Sequence, residues 1–197
     1  MVVLGPQSVV AAVVAQLNAR LNSVVSRLRD EYEMHVTELP EIGEVLDHTP
    51  NVAVIGEFPV VFVAWTGADQ ESLATVATSA GGLSEEYTYT YRVQVYALCM
   101  ADTFSGTEMQ QRVMEQAVRE AVLARKDLTP EKAQEGEQIR VNAVGVRSEP
   151  SDVFPDANSR YLGAVMVEIP LTVDEGLDLS HLDTGRSKIE PVHPGLL

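Results

Sequence analysis

The sequence has little cysteine, few positive charges and no long apolar run. Its 197 residues contain one cysteine, so no disulfide can form within the chain. The 14 Lys and Arg residues stand against 29 Asp and Glu, and they form no basic run of the kind that holds nucleic acid tightly. No apolar run approaches the ~20 residues of a membrane-spanning helix, and the N-terminus lacks a secretory signal. We therefore expect a protein made in a cytoplasm, without a membrane partner and without specific DNA binding.

Catalytic and cofactor motifs are also missing. The sequence has no glycine-rich phosphate loop, no nucleophile elbow and no paired-cysteine metal motif. Asp183-Thr184-Gly185 matches the tripeptide of aspartic proteases, but polar residues surround it where that chemistry needs apolar strands. His35, His48 and Asp47 lie in an acidic connector without ligand-like spacing. We predict no enzymatic activity, no cofactor and no metal site.

The clearest structural pattern runs from Glu86 to Leu128. Alternating residues predict a long strand with one buried face, made of Tyr87, Tyr89, Tyr91, Val93, Val95 and Ala97. A helix follows, with an apolar stripe from Met114 to Leu128. Ser105 and Glu108 have the spacing of a capping box, which predicts the start of this helix.

The rest of the chain predicts elements that pack against this stretch. A heptad-like seam predicts a helix from Pro6 to about Tyr32, and apolar runs predict strands at 52–55, 60–65, 139–146 and 161–173. Pro170 places the far end of the last strand at a sheet edge or a bulge. These elements predict an α+β fold in which a mixed or antiparallel sheet of four to five strands packs against the long N-terminal helix and the central helix.

Two segments lack any pattern that would bury them. Residues 66–85 are small and polar and predict a projecting loop, and the chain after Asp174 predicts an extended arm. We expect one α+β domain over 1–175 and a C-terminal arm over 176–197, with both projecting segments making contacts between proteins. The candidate contact residues are Thr66, Asp69, Glu71, Leu73, Leu83, Tyr87, Tyr89, Tyr91, Leu177, Leu179 and Leu182.

The order of elements resembles that of the tail terminator, or tail completion, proteins of long-tailed bacteriophages. Three segments carry the resemblance: PNVAVIGEFPVVFVAW, the strand YTYTYRVQVYALC with its following helix, and YLGAVMVEIPLTV. The resemblance implies a structural virion protein in the neck, whose six-fold homomeric ring caps the tail tube, ends its polymerisation and joins the head-side connector. It implies no catalytic residues, and genome DNA would pass through the ring without specific binding.

Two other interpretations stay open from the sequence. The chain could be another phage neck component, such as a head-completion or connector protein, which would bind the portal side without capping the tube. It could also be a cellular α+β enzyme or binding domain, with a site assembled from scattered residues. A ring in solution favours either phage interpretation, whereas a monomer or dimer with a closed pocket favours the cellular one.

Overall fold

The computed structural model describes residues 5–51, 55–77, 83–131, 133, 137–156 and 159–178. The helices are α1 (Pro6–Glu31) and α2 (Phe104–Leu123). The strands, in chain order, are β1 (Val45–Leu46), β2 (Val60–Ala77), β3 (Leu83–Ala101), β4 (Gln138–Val141), β5 (Arg147–Pro150), β6 (Phe154–Pro155) and β7 (Tyr161–Asp178).

The seven strands form one mixed sheet in the order β1-β2-β3-β7-β4, and β5 and β6 pair with β7 further along the same edge. The short strand β1 runs parallel to β2, and all other pairs are antiparallel. The three long strands β2, β3 and β7 are adjacent and make up most of the sheet. The predicted α+β class, with a mixed sheet and two helices, is confirmed.

Both helices cover the same face of the sheet. The odd-numbered residues of β3 and β7 lie in the same hydrophobic core as the apolar residues of α1 and α2, including Leu17, Met114, Val95 and Val167. Cys99 lies in this core, and burial raises the pKa of its thiol to about 12, which suits a packing role. Cross-strand partners on the other face, such as Phe62 and Tyr96, lie outside the core cluster. Only one face of the sheet therefore packs against the helices and the hydrophobic core.

Helix α1 agrees with the prediction from Pro6 to about Tyr32, and its buried stripe includes Val13, Leu17, Leu21 and Leu28. By length and composition α1 could also span a membrane, contrary to the expectation from the sequence. Its apolar stripe packs instead against α2 and the sheet, and a core helix of this kind meets the same criterion.

The largest correction concerns residues 66–85, which were predicted to form a loop. Residues 66–77 and 83–85 instead continue β2 and β3 as an antiparallel pair, from Gly67 opposite Arg92 to Ala77 opposite Leu83, and 78–82 lie outside the described residues. Small and polar residues weaken the apolar alternation that marks a strand, but backbone pairing with β3 does not require it. Similarly, β7 runs to Asp178, three residues beyond the predicted start of the arm, and 179–197 lie outside the described residues.

Two further predictions about strands change. The predicted strand 139–146 divides into β4 and a 3-10 turn at 143–145, and the turn is followed by β5, a strand that was not predicted. The predicted strand 52–55 lies mostly outside the described residues, and Ile55 is not in a strand. Pro170 pairs with Arg92 of β3, and on its other side β5 pairs only up to Glu168 and β4 only from Leu171, so the proline lies at a local edge of the sheet, as predicted.

Pro170 is tolerated because its neighbouring strand is interrupted there. Its carbonyl accepts from the Asn142 N–H at 2.9 Å, so its missing N–H faces the 3-10 turn between β4 and β5. In an antiparallel strand both backbone polar groups of a residue point to the same neighbour. The missing N–H of Pro170 therefore costs no hydrogen bond between strands, because the neighbouring chain is not in a strand at this position.

The start of α2 differs from the predicted capping box. The N-cap is Thr103, whose Oγ1 accepts from the Gly106 N–H at 3.0 Å, and Ser105 is already inside the helix. The helix ends at Leu123, so Leu128 is not part of it. Leu128 instead donates its N–H to the Ile139 carbonyl at 2.8 Å and is buried beside β4.

This cap gives a direct test with a matched control. We expect Thr103→Ala to lower the free energy of unfolding by about 1 kcal/mol, because the Gly106 N–H loses its acceptor. Ser105→Ala should change it by less than about 0.5 kcal/mol, because the Ser105 side chain is exposed. Urea unfolding measures both. A larger loss for Ser105→Ala would contradict the assignment of Thr103 as the cap.

Candidate functional site

The main candidate surface is the part of the sheet that runs past the helices. Trp65 lines a groove with the first turns of α1, and β2 continues beyond it for twelve residues, roughly 40 Å at ~3.4 Å per residue. We call residues 66–77, 83–92 and 170–178 of β2, β3 and β7 the distal extension. Leu171 and Val173 of β7 are still buried in the core, and Tyr89 packs against it, whereas the described side chains closer to the tip lie outside the core.

Three tyrosines form a row on the helix-side face of the distal extension. The rings of Tyr87 and Tyr89 stack with centroids 6.0 Å apart, and Tyr89 and Tyr91 meet at the same separation in a tilted arrangement. Tyr91 is buried at the margin of the core, whereas Tyr87 and Tyr89 are half-buried. Leu73, the cross-strand partner of Tyr87, is 52% exposed. The row therefore passes from core to surface.

Hydroxyl groups of the distal extension are paired with carboxylates. Thr88 donates to Asp174 at 2.9 Å, and Tyr91 donates to Glu175 at 3.4 Å. Tyr87 likewise donates to Glu85, and Thr90 donates to Glu71. These pairs hold acidic side chains against the sheet, and Asp174 also pairs with Arg140. The extension thus combines an apolar row with a negatively charged margin.

Burial and the neighbouring carboxylate change the ionisation of Tyr91. Burial, followed by the charge of Glu175, raises the pKa of the Tyr91 hydroxyl to about 12. Burial also raises the pKa of Glu175, partly offset by the hydrogen bond from Tyr91. The Tyr91 hydroxyl therefore keeps its proton near neutral pH and acts as the donor to Glu175.

Tyr91 therefore provides a spectroscopic prediction. Tyr91→Phe should remove a tyrosinate component that appears at pH about 12, measured by ultraviolet absorbance during alkaline titration. Because the unfolded chain loses this proton near pH ~10, the stability contributed by Tyr91 is complete below that pH and is lost as the pH rises toward the folded value. Loss of a component titrating at the ordinary tyrosine pKa would contradict the burial of this hydroxyl.

The predicted contact residues fall into three groups. Thr66, Asp69, Glu71 and Leu73 lie exposed on β2, where Asp69 pairs with Arg92. Leu83 and Leu177 lie in β3 and β7 by backbone pairing. Leu179 and Leu182, like Asp183-Thr184-Gly185, lie outside the described residues. The structure brings the β2, β3 and β7 residues together on one three-stranded extension.

A groove of about 660 Å³ lies where α1 begins, beside the β1–β2 edge. It is lined by Pro6, Gln7, Val10, Ala11, Asp47, His48 and Trp65. Trp65 is 48% exposed and donates its indole N–H to the Gly67 carbonyl at 3.0 Å. A hydrogen bond from His48 lowers the pKa of Asp47, so this rim carboxylate stays ionised.

Sequence reasoning missed two of the most exposed apolar side chains. Trp65 was read only as the end of a strand, and Val144, which is 98% exposed on the 3-10 turn, was assigned to a strand. The signal for Trp65 was a lone tryptophan at the end of an apolar run. For Val144 no local signal existed, because its exposure follows from the break between β4 and β5.

The described residues hold no group of three or more His, Cys, Asp or Glu that could bind a metal ion. His48 is engaged with Asp47, and His35 with Thr37 at 2.9 Å. A second groove of about 640 Å³ lies between α1 and the segment after α2, and alanines form much of its lining.

No protein-family model matches the chain, and no curated protein matches it. A chain from the virion of a native gene transfer agent particle is similar in structure, with a TM-score of 0.30 and 13% identity. The similarity covers 80% of this chain and 97% of the other. Because the superposition is this loose, it assigns neither a fold nor a function to the chain by itself.

Proposed function

We propose that this protein is a structural subunit of a phage-like virion, and specifically a ring-forming tail terminator. In this role a homomeric ring, with six subunits as the resemblance implies, closes the tail tube, ends its polymerisation and joins the head-side connector. The protein acts as no enzyme and needs no cofactor. Its place is the neck of the virion, after synthesis in the host cytoplasm.

The distal extension carries this proposal. The sheet continues beyond the core and presents the exposed Leu73 and the half-buried Tyr87 and Tyr89, which one subunit does not cover completely. Exposed apolar and aromatic residues of this kind are typical of protein–protein contacts. We assign contacts with neighbouring subunits or the tube to this extension, and further contacts to the C-terminal arm.

The charge of the chain supports the same role. A net charge of −15 gives the surface a strong negative potential, which repels DNA phosphates. A ring through which the genome passes benefits from such a surface, because the DNA does not adhere to it. The long sheet and the acidic surface together favour a ring through which DNA passes over a protein that binds a substrate.

Tube growth tests the proposal. The purified protein is added to polymerising tail tube protein of the same particle, and tube lengths are measured by negative-stain electron microscopy. We expect growth to stop and a ring to cap one tube end. Unrestricted growth with binding to the portal side would instead identify a head-completion or connector protein. A compact monomer that binds neither component would contradict both roles.

A further inference from the structure

The sequence distributes its charge unevenly. From Asp30 to Tyr91, 62 residues contain twelve Asp or Glu and no Lys or Arg. The described part of this segment includes β1 and β2, which form one edge of the sheet. Cations of the chain lie elsewhere, and a group of them lies at the opposite edge, beside β4 and β5. The two edges of one sheet therefore differ in electrostatic character.

The β1–β2 edge combines carboxylates with an apolar groove. Glu44 and Asp47 flank β1, the outermost strand, and both are exposed. Asp47 also lines the groove of about 660 Å³ next to Trp65 and Val10. The face of a tryptophan attracts cations as well as apolar groups. We call this surface the acidic socket.

The opposite edge carries a projecting apolar residue among cations. Val144 is 98% exposed on the turn between β4 and β5. Lys126 lies outside β4, because its carbonyl accepts from the Val141 N–H at 2.8 Å, and Arg147 begins β5. Both cations are exposed, and neither forms an ion pair among the described residues. We call Lys126, Val144 and Arg147 the basic corner.

The carboxylates near the basic corner are largely engaged. Asp127 accepts from the Thr129 N–H at 3.0 Å, and Asp174 pairs with Arg140 at 2.5 Å. Glu168, the cross-strand partner of Arg147, accepts from the Gln94 amide at 3.3 Å, and the exposed Glu149 lies two residues further along β5. Lys126, next to the end of β4, and Arg147, at the start of β5, are therefore the exposed cations near Val144 that form no ion pair among the described residues.

We propose that the basic corner of one copy of this chain seats in the acidic socket of the next copy. Val144 enters the groove beside Trp65, and Lys126 and Arg147 face Glu44 and Asp47. The inference rests on the proposed ring, and it names the surfaces by which the ring closes. The two surfaces lie on opposite edges of the sheet, so the contact is head-to-tail, the type that closes into a ring.

A second copy is the occupant that the charges favour. The socket and the corner complement each other in sign and in shape, since one is a concave apolar surface with acidic flanks and the other a projecting apolar residue with basic flanks. Opposite charges at such contacts guide association and set the register of the partners. A tail tube subunit or connector in the socket would be an alternative, which the experiments below separate.

The first test compares two Val→Asp variants by mass photometry and negative-stain imaging. Val144→Asp should raise the protein concentration needed for ring formation at least about tenfold, because placing a charged side chain in the apolar groove is unfavourable. Val36→Asp is the matched control, since Val36 is also exposed, at 49%, but lies on the connector after α1. Equal assembly by both variants would overturn the inference. Equal melting temperatures confirm that both variants fold.

The second test uses charge reversal in pairs. The socket variant carries Glu44→Lys and Asp47→Lys, and the corner variant carries Lys126→Glu and Arg147→Glu. In each variant alone, the corner and the socket carry charges of the same sign, so neither variant should assemble. Mixed in equal amounts, they should form rings of alternating subunits, because every contact then joins opposite charges. All four substitutions in one chain should also restore assembly.

The outcomes separate the inference from the proposed function. Rings from every variant alone would overturn the socket contact and leave the tail terminator role standing. Failure of the mixture and of the fourfold variant, with wild-type rings intact, would also overturn the contact and point to a different partner in the socket. A wild-type protein that forms no ring, alone or with tail tubes, would overturn the proposed function and the inference with it.

Discussion

Replacing residues 71–88 by Asn-Gly is expected to leave the body folded and to abolish the capping of tail tubes. Gln70 and Tyr89 are cross-strand partners, so a two-residue turn can join them directly. No core residue among those described comes from the removed segment. The shortened protein should therefore keep its circular dichroism spectrum and melt within a few degrees of wild type, while losing the contacts of the distal extension.

The control for this deletion keeps the hairpin and changes one contact residue. Leu73→Asp leaves the pairing of β2 with β3 intact but places a charge where an apolar side chain is 52% exposed. We expect it to weaken capping of tail tubes without affecting stability. Tube lengths in the growth assay measure both variants. If the shortened protein capped tubes as well as wild type, the distal extension would have no role in assembly.

Gly163→Val is expected to produce the largest loss of stability of any single substitution considered. A Cβ atom at Gly163 would lie 2.7 Å from Gln111 Nε2 and 3.1 Å from Thr107 Cγ2. Both neighbours are buried, and Gln111 donates to the carbonyls of Ala164 at 2.7 Å and Ser151 at 3.0 Å. Helix α2 must move away from β7 or give up these bonds, so we expect a loss of about 3 kcal/mol.

Matched variants identify the cause of this loss. Gly43→Ala introduces a Cβ with nothing within 4 Å, and it should change the free energy of unfolding by less than about 0.5 kcal/mol. Gly163→Ala combined with Gln111→Ala should cost less than the sum of the two single changes, because removing the amide frees the space that the new methyl needs. Strict additivity in urea unfolding would show that the two residues do not share this contact.

The elements with strong periodicity could be predicted from the sequence. The helix from Pro6 was correct to within one residue at its end, since its buried positions recur at helical spacing over seven turns. The alternation of Tyr91, Val93, Val95 and Ala97 identified the buried face of β3. In both cases the local pattern agrees with the environment that the fold provides.

Elements whose structure depends on a distant partner could not be predicted. Gly67 to Ala77 has the composition of a loop, and it becomes a strand because β3 supplies hydrogen-bond partners along its length. Ser105 and Glu108 have the spacing of a cap, but the turn after β3 leaves Thr103 in the extended conformation that an N-cap needs. The exposure of Val144 likewise follows from where β4 ends.

The candidate surfaces show the same division. Residues of the distal extension such as Asp69 and Leu73 were predicted as contacts because no apolar pattern would bury them. The socket beside Trp65 and the corner at Val144 could not be found in this way. Their residues are far apart along the chain, and only the position of α1 over β2 and the break between β4 and β5 creates the two surfaces.

By itself the sequence determined the α+β class, the two helices, the buried face of the central strand and the acidic character of the surface. These follow from spacing and composition, which act over a few neighbouring residues. The tertiary structure alone decided that 67–77 pairs with 83–92, that the break between β4 and β5 lies beside Pro170, and that Trp65 and Val144 lie on opposite edges of the sheet. Those features depend on hydrogen bonds and packing between residues distant in sequence, which no local pattern records.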